Sequence, residues 1–93
     1  MKVVVPTPLR RYVDKKDFLD IKGQTVGEIL KNLTDGHPEL ARHLFSSDGK
    51  LRHFVNLFIN NEDIRNLQDE NTPVRENDVI TIVPSIAGGS ENF

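Results

Sequence analysis

The sequence predicts an α+β fold in which a mixed β-sheet is rolled against one main helix. The chain begins and nearly ends with β-branched runs, residues 3–5 and 79–83, and such runs favour strands that are buried on both faces. Between them lies one capped, amphipathic helix pattern. If the two terminal runs pair side by side at the centre of the sheet, that helix crosses one face as a right-handed connection.

The first strand is expected to be short and to belong to a hairpin. Pro6 and Pro8 follow it closely, and proline cannot donate a backbone hydrogen bond within a central strand. Residues 14–17 are charged and precede Phe18 and Ile21. This pattern is typical of a turn that returns the chain antiparallel to the first strand.

A helix is predicted to begin at Thr25. Thr25 lies three residues before Glu28, the spacing of a capping box, in which each side chain accepts a hydrogen bond from a backbone N–H. The apolar residues that follow at helical spacing form one stripe, which should pack on the sheet: Val26, Ile29, Leu30 and Leu33. Gly36 is expected to end the helix, because glycine adopts the left-handed cap conformation without a steric penalty.

A second, shorter helix is expected to start at Pro38, since proline is favoured in the first turn of a helix. Its apolar residues would be Leu40, Ala41, Leu44 and Phe45. A turn centred on Asp48 and Gly49 then leads into a strand over residues 51–59, in which the odd-numbered positions face the core.

Phe54 and Phe58 fall on the other face of that strand. The two rings are therefore either covered by another element or exposed for a partner, which makes both residues candidate partner-binding positions. A minor edge strand around Ile64 and Leu67 and a turn over residues 75–78 complete the path to the last strand.

Length and composition exclude several classes of function. Ninety-three residues form at most one domain. The absence of cysteine excludes disulfides, cysteine-ligated metal sites and a thiol nucleophile. A formal net charge of −2 does not fit a nucleic-acid binder. No apolar run approaches the roughly 20 residues of a membrane helix and no signal-peptide pattern is present, so the cytoplasm is the expected location.

Residues for enzyme chemistry are scarce. The three histidines, His37, His43 and His53, lack the spacing of metal ligands, so no metal site is predicted. The serines lack the Gly-x-Ser-x-Gly setting of a hydrolase nucleophile. No glycine-rich phosphate loop occurs, so we expect no bound cofactor, and any ATP must be bound by a partner.

The C-terminal residues are the strongest functional candidates. Residues 1–84 are predicted to form the domain, and residues 85–93 a flexible arm that contains Ile86, Ala87, Gly88 and Gly89. Composition leaves two interpretations open: the arm is a frayed end, or it is a thin segment that enters a narrow channel where only glycine fits. If the chain ended at Gly89, its carboxylate would be accessible for activation as an acyl-adenylate.

Two blocks of sequence resemble a known family. They are KLRHFVNLFINNED at residues 50–63 and DVITIVPSIAGG at residues 78–89, where two glycines follow a β-branched strand and a proline. Over nearly its whole length the chain resembles the ubiquitin-like β-grasp sulfur carriers of the ThiS and MoaD type, and among them the CysO-type branch. The resemblance implies a β-grasp roll, in agreement with the α+β roll predicted above.

The resemblance also implies a function. An activating enzyme of the ubiquitin-activating type would use ATP to adenylate the Gly89 carboxylate. Sulfur would then displace AMP and leave a thiocarboxylate for a sulfur-accepting synthase, in the biosynthesis of cysteine or a related sulfur amino acid. The carrier would itself catalyse nothing. Because residues 90–93 follow Gly89, a JAMM-type zinc metallopeptidase is expected to cleave between Gly89 and Ser90 first.

Two alternatives stay open. The chain is a MoaD-like small subunit of molybdopterin synthase, or it is a ubiquitin-like protein modifier or binding module. The fate of Gly89 separates them, since a carrier or synthase subunit forms a thiocarboxylate there. A modifier forms an isopeptide bond to a lysine instead, and a binding module leaves Gly89 unchanged.

Overall fold

The computed structural model describes residues 1–84 and shows a mixed five-stranded sheet with two α-helices. The strands are β1 (Lys2–Val4), β2 (Phe18–Asp20), β3 (Val55–Ile59), β4 (Glu62–Asp63) and β5 (Val79–Pro84), and the helices are α1 (Val26–Gly36) and α2 (Pro38–Leu44). Short 3-10 helices span Thr7–Tyr12, Ile64–Asn66 and Asp69–Asn71. Neither α1 nor α2, the α-helices of this part of the chain, is long and apolar enough to cross a membrane.

The strand order across the sheet is β2-β1-β5-β3-β4. β1 pairs with β5 in parallel, and every other neighbouring pair is antiparallel. The first and last strands therefore lie side by side in the interior of the sheet. This confirms the predicted α+β roll, the parallel terminal strands and the antiparallel pairing of β1 with β2.

One hydrophobic core lies between the helices and the inner face of the sheet. The predicted stripe of α1 is buried in it, with exposed fractions of 1% or less. The sheet contributes Val3, Val55, Leu57, Ile59, Ile80 and Ile82 to the same core. The predicted odd-numbered core face of β3 is therefore confirmed.

The start of α1 is capped as predicted. The hydroxyl of Thr25 accepts a hydrogen bond from the backbone N–H of Glu28 over 3.2 Å. The Glu28 carboxylate in turn accepts from the backbone N–H of Gln24 over 3.1 Å. This second bond reaches one residue further back than the usual capping box, so it ties the helix to the segment that precedes it.

Gly36 does not end α1 in a left-handed conformation, so that prediction is wrong. The helix includes Gly36, and its C-cap is His37, with φ −141° and ψ 75°. His37 leaves the helical region because the residue before a proline is sterically kept out of it. Pro38 then begins α2 at once, as predicted. Among residues 1–84 the glycine with a positive φ is Gly49, at 82°, in the predicted turn.

The connection between β1 and β2 differs from the prediction. Instead of a simple turn, the 3-10 helix Thr7–Tyr12 follows the first strand. It buries Leu9, and Val13 directly after it is buried as well, both with an exposed fraction of 0%. The hairpin therefore also closes one end of the core.

Two strand boundaries also differ. The strand predicted over residues 51–59 begins only at Val55, because Leu51 pairs with Phe45 in an isolated bridge. The edge strand expected at Ile64 and Leu67 lies two residues earlier, in β4. Ile64 instead enters a 3-10 helix, which buries its side chain.

Candidate functional site

The end of β5 fixes the place where the predicted functional segment leaves the domain. Pro84 pairs with Val55 at the start of β3, and Thr81 pairs with Val4 at the end of β1. Because β1 and β5 are parallel, both strands end at the same edge of the molecule, which we call the exit end. The candidate residues Ile86, Ala87, Gly88, Gly89 and Ser90 follow Pro84 and lie outside the described residues.

The domain holds the base of this segment firmly. β5 is paired on both sides, with β1 and with β3. Ile80 and Ile82 are buried in the core, with exposed fractions of 0% and 1%. Pro84 has no backbone N–H, so it cannot donate a further ladder bond. The sheet therefore holds Pro84, the last residue before this segment, at a fixed position.

Three apolar side chains and one threonine form a row across the outer face of the sheet. Phe58 lies opposite Thr81, Thr81 opposite Val4, and Val4 opposite Phe18, which we call the outer row. The exposed fraction of Phe18 is 48%. Val83, two residues beyond Thr81 on the same face, is 39% exposed. The row is therefore a partly solvated apolar surface beside the exit end.

A cation lies against one end of the outer row. The ammonium nitrogen of Lys2 lies 4.5 Å from the centroid of the Phe18 ring. At this distance the ammonium is attracted to the face of the ring. The contact holds Phe18 in place without covering it.

Phe54 and Phe58 do not share a face, so the prediction that they do is wrong. Phe54 lies in the turn before β3 and is half-buried against the core. Phe58 is half-buried on the outer face of β3. The two differ because strand alternation begins only at Val55 and does not extend back through the turn. Partner binding by either ring stays a prediction, and Phe58 has the more suitable position.

The histidines have separate surroundings. The Nδ1 atom of His37 lies 3.1 Å from the carbonyl oxygen of Leu33, and the ring of His43 stacks on Tyr12 with centroids 4.4 Å apart. His53 is exposed. Within residues 1–84, no group of three or more histidine, aspartate or glutamate side chains is arranged to hold a metal ion.

Two carboxylates in the described part of the chain have a lowered pKa, each for a local reason. The N-terminal ammonium donates to Asp20 Oδ1 over 2.8 Å, and this bond lowers the pKa of Asp20. The hydroxyl of Ser46 and then the backbone N–H of Lys50 lower the pKa of Asp48 by donating to it. Both carboxylates are exposed, and Asp20 accepts from the chain terminus while Asp48 accepts from within its own turn. They stabilise turns and termini rather than forming a catalytic site.

Phe18 and Val83 were not predicted as surface candidates. The alternation of β5, with Ile80 and Ile82 inward, already indicates that Val83 faces outward. The outward position of Phe18 follows only from the register of β1 with β2. A three-residue strand has too little alternation to show which of its faces is the inner one.

Comparison with known proteins finds relatives along nearly the whole chain. The model of the ThiS family matches residues 3–89. The sulfur carrier protein CysO of Mycobacterium tuberculosis is 34% identical over 89 residues, which are 94% of this chain and 96% of CysO.

Solved structures of similar proteins have the same fold. A chain in the crystal structure of the Amycolatopsis orientalis BexX/CysO complex matches with a TM-score of 0.85 and 33% identity, over 95% of this chain and 98% of that chain. The solution structure of small archaeal modifier protein 1 from Methanosarcina acetivorans matches with a TM-score of 0.81 and 30% identity, over 95% and 94% of the two chains. The predicted ubiquitin-like β-grasp roll is confirmed by these similarities.

Proposed function

The chain belongs to the ThiS family, and on that basis we propose that it is a sulfur carrier of the CysO type, a substrate of partner enzymes and not itself an enzyme. The observation that carries this proposal is where the family match ends. It runs from residue 3 to Gly89, the second of the two glycines, and leaves residues 90–93 outside. The matched part thus ends at the residue whose carboxylate would carry sulfur.

The position of Gly89 relative to the fold supports the proposal. Gly89 lies five residues beyond Pro84, the last residue of β5. Residues 85–89 have the sequence SIAGG, which contains no charged side chain and ends in two residues without a Cβ. Such a segment suits a narrow channel, because an enzyme can close around bare backbone on all sides.

We propose three covalent steps at Gly89. A JAMM-type zinc metallopeptidase first directs water to the peptide bond between Gly89 and Ser90, leaving a Gly89 carboxylate and releasing the amine of Ser90. The carboxylate then attacks the α-phosphorus of an ATP molecule that is held by an activating enzyme, and pyrophosphate leaves. A sulfide donor finally attacks the carbonyl carbon of the acyl-adenylate, and AMP leaves. The product is a Gly89 thiocarboxylate.

In these steps the carrier positions Gly89 for its partner enzymes and supplies no catalytic group. It binds no cofactor in this scheme, because ATP and zinc belong to the partners, and we place the protein in the cytoplasm with them. The absence of cysteine is compatible with the scheme, since no thiol of the carrier competes for the activated carbonyl.

A sulfur-accepting synthase completes the scheme, in cysteine biosynthesis or a related pathway. A CysO protein has been crystallised in a complex with BexX, which supports a protein partner, and we propose that this chain offers its thiocarboxylate to an enzyme that binds the exit end. The outer row adjoins that end, so we assign it to the contacts with the enzymes that bind there, the activating enzyme included, with Phe58 as the partner-binding residue.

Intact-mass spectrometry tests the proposal. The full chain and a chain ending at Gly89 are each incubated with ATP, a sulfide donor and the family's activating enzyme from the same genome. The shorter chain should gain the mass difference of one oxygen replaced by sulfur, and the full chain should not until the peptidase has removed residues 90–93. If the full chain supports sulfur transfer as well as the trimmed one, the processing step is wrong.

A pair of glycine variants serves as the control for this experiment. Gly89→Ala should impair both cleavage and adenylation, because a methyl group would crowd a channel shaped for backbone. Gly36→Ala places the same methyl group on α1, where a Cβ would meet no heavy atom within 4 Å. This variant should be processed and activated like the parent chain.

A protein modifier is the second candidate function. The similarity to small archaeal modifier protein 1 favours it. The same spectra distinguish the two, because a modifier would appear as an isopeptide adduct that joins Gly89 to a lysine of another protein. A chain that gains sulfur but forms no such adduct would support the sulfur-carrier function over the modifier function.

A further inference from the structure

Cationic side chains concentrate at the exit end of the sheet. The connection from β1 to β2 and the residues just before β3 both lie at this end, because Val4 pairs with Phe18, and Val55 with Pro84. Residues 6–17 and 52–54 carry five arginines and lysines but only two carboxylates, Asp14 and Asp17. We call the five cations the exit collar: Arg10, Arg11, Lys15, Lys16 and Arg52.

The collar has no acidic partner in the described part of the chain. The ion pairs among residues 1–84 join Met1 to Asp20, Lys31 to Asp35 and Asp63 to Arg65. None of them includes a collar residue, although Asp14 and Asp17 lie close in sequence. The collar charges are therefore available to an external group.

Two collar residues are also fixed in position by the backbone. The Nε atom of Arg10 donates to the carbonyl oxygen of Val5 over 2.9 Å, just beyond the end of β1. The Nε atom of Arg52 donates to the carbonyl oxygen of Arg42 over 3.1 Å, and the Arg52 carbonyl accepts from the N–H of Val55. Neutral carbonyls leave both guanidinium charges unneutralised while they limit the motion of the side chains.

The opposite end of the sheet has the reverse balance. The connections there, residues 21–25, 60–61 and 75–78, and the short strand β4 carry Lys22 and Arg75 against four carboxylates: Glu62, Asp63, Glu76 and Asp78. The whole chain has a formal net charge of −2. The collar is therefore a local excess of positive charge on an otherwise acidic protein, and it lies at the end of the sheet where the functional segment begins.

The short reach of the segment brings any enzyme that acts on Gly89 close to the collar. Gly89 lies five residues beyond Pro84, and a fully extended chain spans at most about 18 Å over that distance. Charges interact over about 8 to 10 Å at physiological ionic strength. The rim of a channel that takes up Gly89 therefore lies at the exit end, where the collar is.

We infer that the exit collar is a docking surface for a protein partner with an acidic rim around its channel. The inference rests on the proposed function for the identity of that partner, the activating enzyme. The uneven charge orients the carrier with its exit end forward, because the acidic opposite end is repelled by the same rim. The collar thereby raises the rate of productive encounter.

A titration with a polyglutamate peptide tests the charge preference of the collar without any enzyme. The full chain, labelled with ¹⁵N, is titrated and its amide resonances are followed. Residues 10–16 and 52–53 should shift, and the shifts should fade between about 20 mM and about 200 mM salt as screening increases. The double variant Arg11→Gln and Lys16→Gln should bind about twofold to fivefold more weakly per removed charge.

A matched variant separates the collar from net charge. Lys22→Gln with Arg75→Gln removes the same number of charges at the opposite end and should bind the peptide like the parent chain. Equal weakening by both double variants, or no localised shifts, would overturn the inference. If the collar bound an RNA oligonucleotide or phosphatidylserine vesicles more tightly than the polyglutamate peptide, the inference would also be overturned, because the partner would belong to another class.

Activation kinetics connect the collar to the enzyme. In the chain ending at Gly89, the collar double variant should raise KM for the activating enzyme while kcat stays unchanged, and the effect should vanish at high salt. An unchanged KM at low salt would contradict docking through the collar. If no adenylation occurs with any chain, the proposed function fails, whereas the peptide titration still reports on the collar.

Discussion

Gly23 faces Ile29 so closely that a Cβ atom placed on Gly23 would lie 2.9 Å from Cδ1 and 3.0 Å from the backbone nitrogen of Ile29. The backbone nitrogen belongs to the first turns of α1 and cannot move without the helix. The Ile29 side chain is buried, with an exposed fraction of 0%. The chain therefore needs a residue without a side chain where it turns from β2 into α1.

Gly23→Ala should destabilise the protein by about 1 to 3 kcal/mol, because the added methyl group overpacks the start of α1. Gly36→Ala is the matched control and should stabilise the protein by about 0.5 to 1 kcal/mol, since alanine restricts the unfolded chain and nothing in the fold obstructs it. Urea denaturation measures both free energies of unfolding. Equal effects of the two substitutions would show that the space around Gly23 is not restrictive.

Thr25→Ala should cost about 0.5 to 2 kcal/mol, because the N–H of Glu28 loses its acceptor at the helix start. Thr25→Ser keeps the hydroxyl and should recover most of the loss. The neighbouring N–H of Val26 donates to the carbonyl of Thr72 over 3.0 Å and is unaffected by either change. A loss of the same size for serine would mean that the methyl group of Thr25, not its hydroxyl, stabilises the helix.

Leu30→Ala should cost about 2 to 5 kcal/mol, since it removes a large side chain that is 1% exposed and leaves a cavity in the core. Leu67→Ala is the control. Leu67 is 45% exposed, so its truncation should change the free energy of unfolding by less than about 0.5 kcal/mol. Thermal and urea unfolding of both variants check this, and a negligible cost for Leu30 would place the α1 stripe outside the core.

The pairing of Asp20 with the N-terminal ammonium should make stability depend on pH. The bond holds the pKa of Asp20 in the folded protein below the value of about 3.9 in an unfolded chain. The pair therefore contributes stability above the unfolded pKa, and the contribution is lost as the pH falls through the folded pKa. Asp20→Asn should be slightly less stable than the parent chain near neutral pH and equally stable in acid. A difference that persists at the lowest pH would assign it to another cause.

Local signals in the sequence were sufficient for the elements that carry them. The spacing of Thr25 and Glu28 and the stripe that follows predicted α1 correctly, because capping and amphipathic periodicity act within one helix. The parallel contact of β1 with β5 followed from the apolar character of both runs. Pairing them buries both, and few topologies allow it.

The remaining parts depended on interactions that a local pattern does not contain. Gly36 carried a stop signal, but Pro38 starts the next helix so soon that His37 has to serve as the cap of both helices. Leu9 and Val13 are buried four residues apart, a helical spacing that is too short a pattern to predict the 3-10 helix Thr7–Tyr12 by itself. Pro6 and Pro8 predicted the end of the first strand but not the 3-10 helix that follows it.

In the candidate site, too, some features follow from local sequence and others only from the fold. Gly88 and Gly89 stay predictions, which the sequence could make because two glycines after a strand and a proline form a local pattern. The outer row could not be found without the register, because it joins residues from four strands that are far apart in sequence. The exit collar likewise becomes a cluster only when β1 and β3 pair with β5, which brings the residues before β3 to the same end as those that follow β1.

Phe58 provides the last prediction, which concerns docking through the outer row. Phe58→Ser should raise KM for the activating enzyme about fivefold to thirtyfold, as expected for an aromatic anchor, while kcat stays the same. Phe18→Ser is a second variant at the other end of the row, where 48% exposure makes an effect on folding small. Leu67→Ser is the control, because Leu67 is similarly exposed but lies beyond β4, away from the row.

Steady-state kinetics with the chain ending at Gly89, together with unfolding curves for each variant, separate docking from stability. If Phe18→Ser and Phe58→Ser fold normally and leave KM unchanged, the partner does not bind through this face of the sheet.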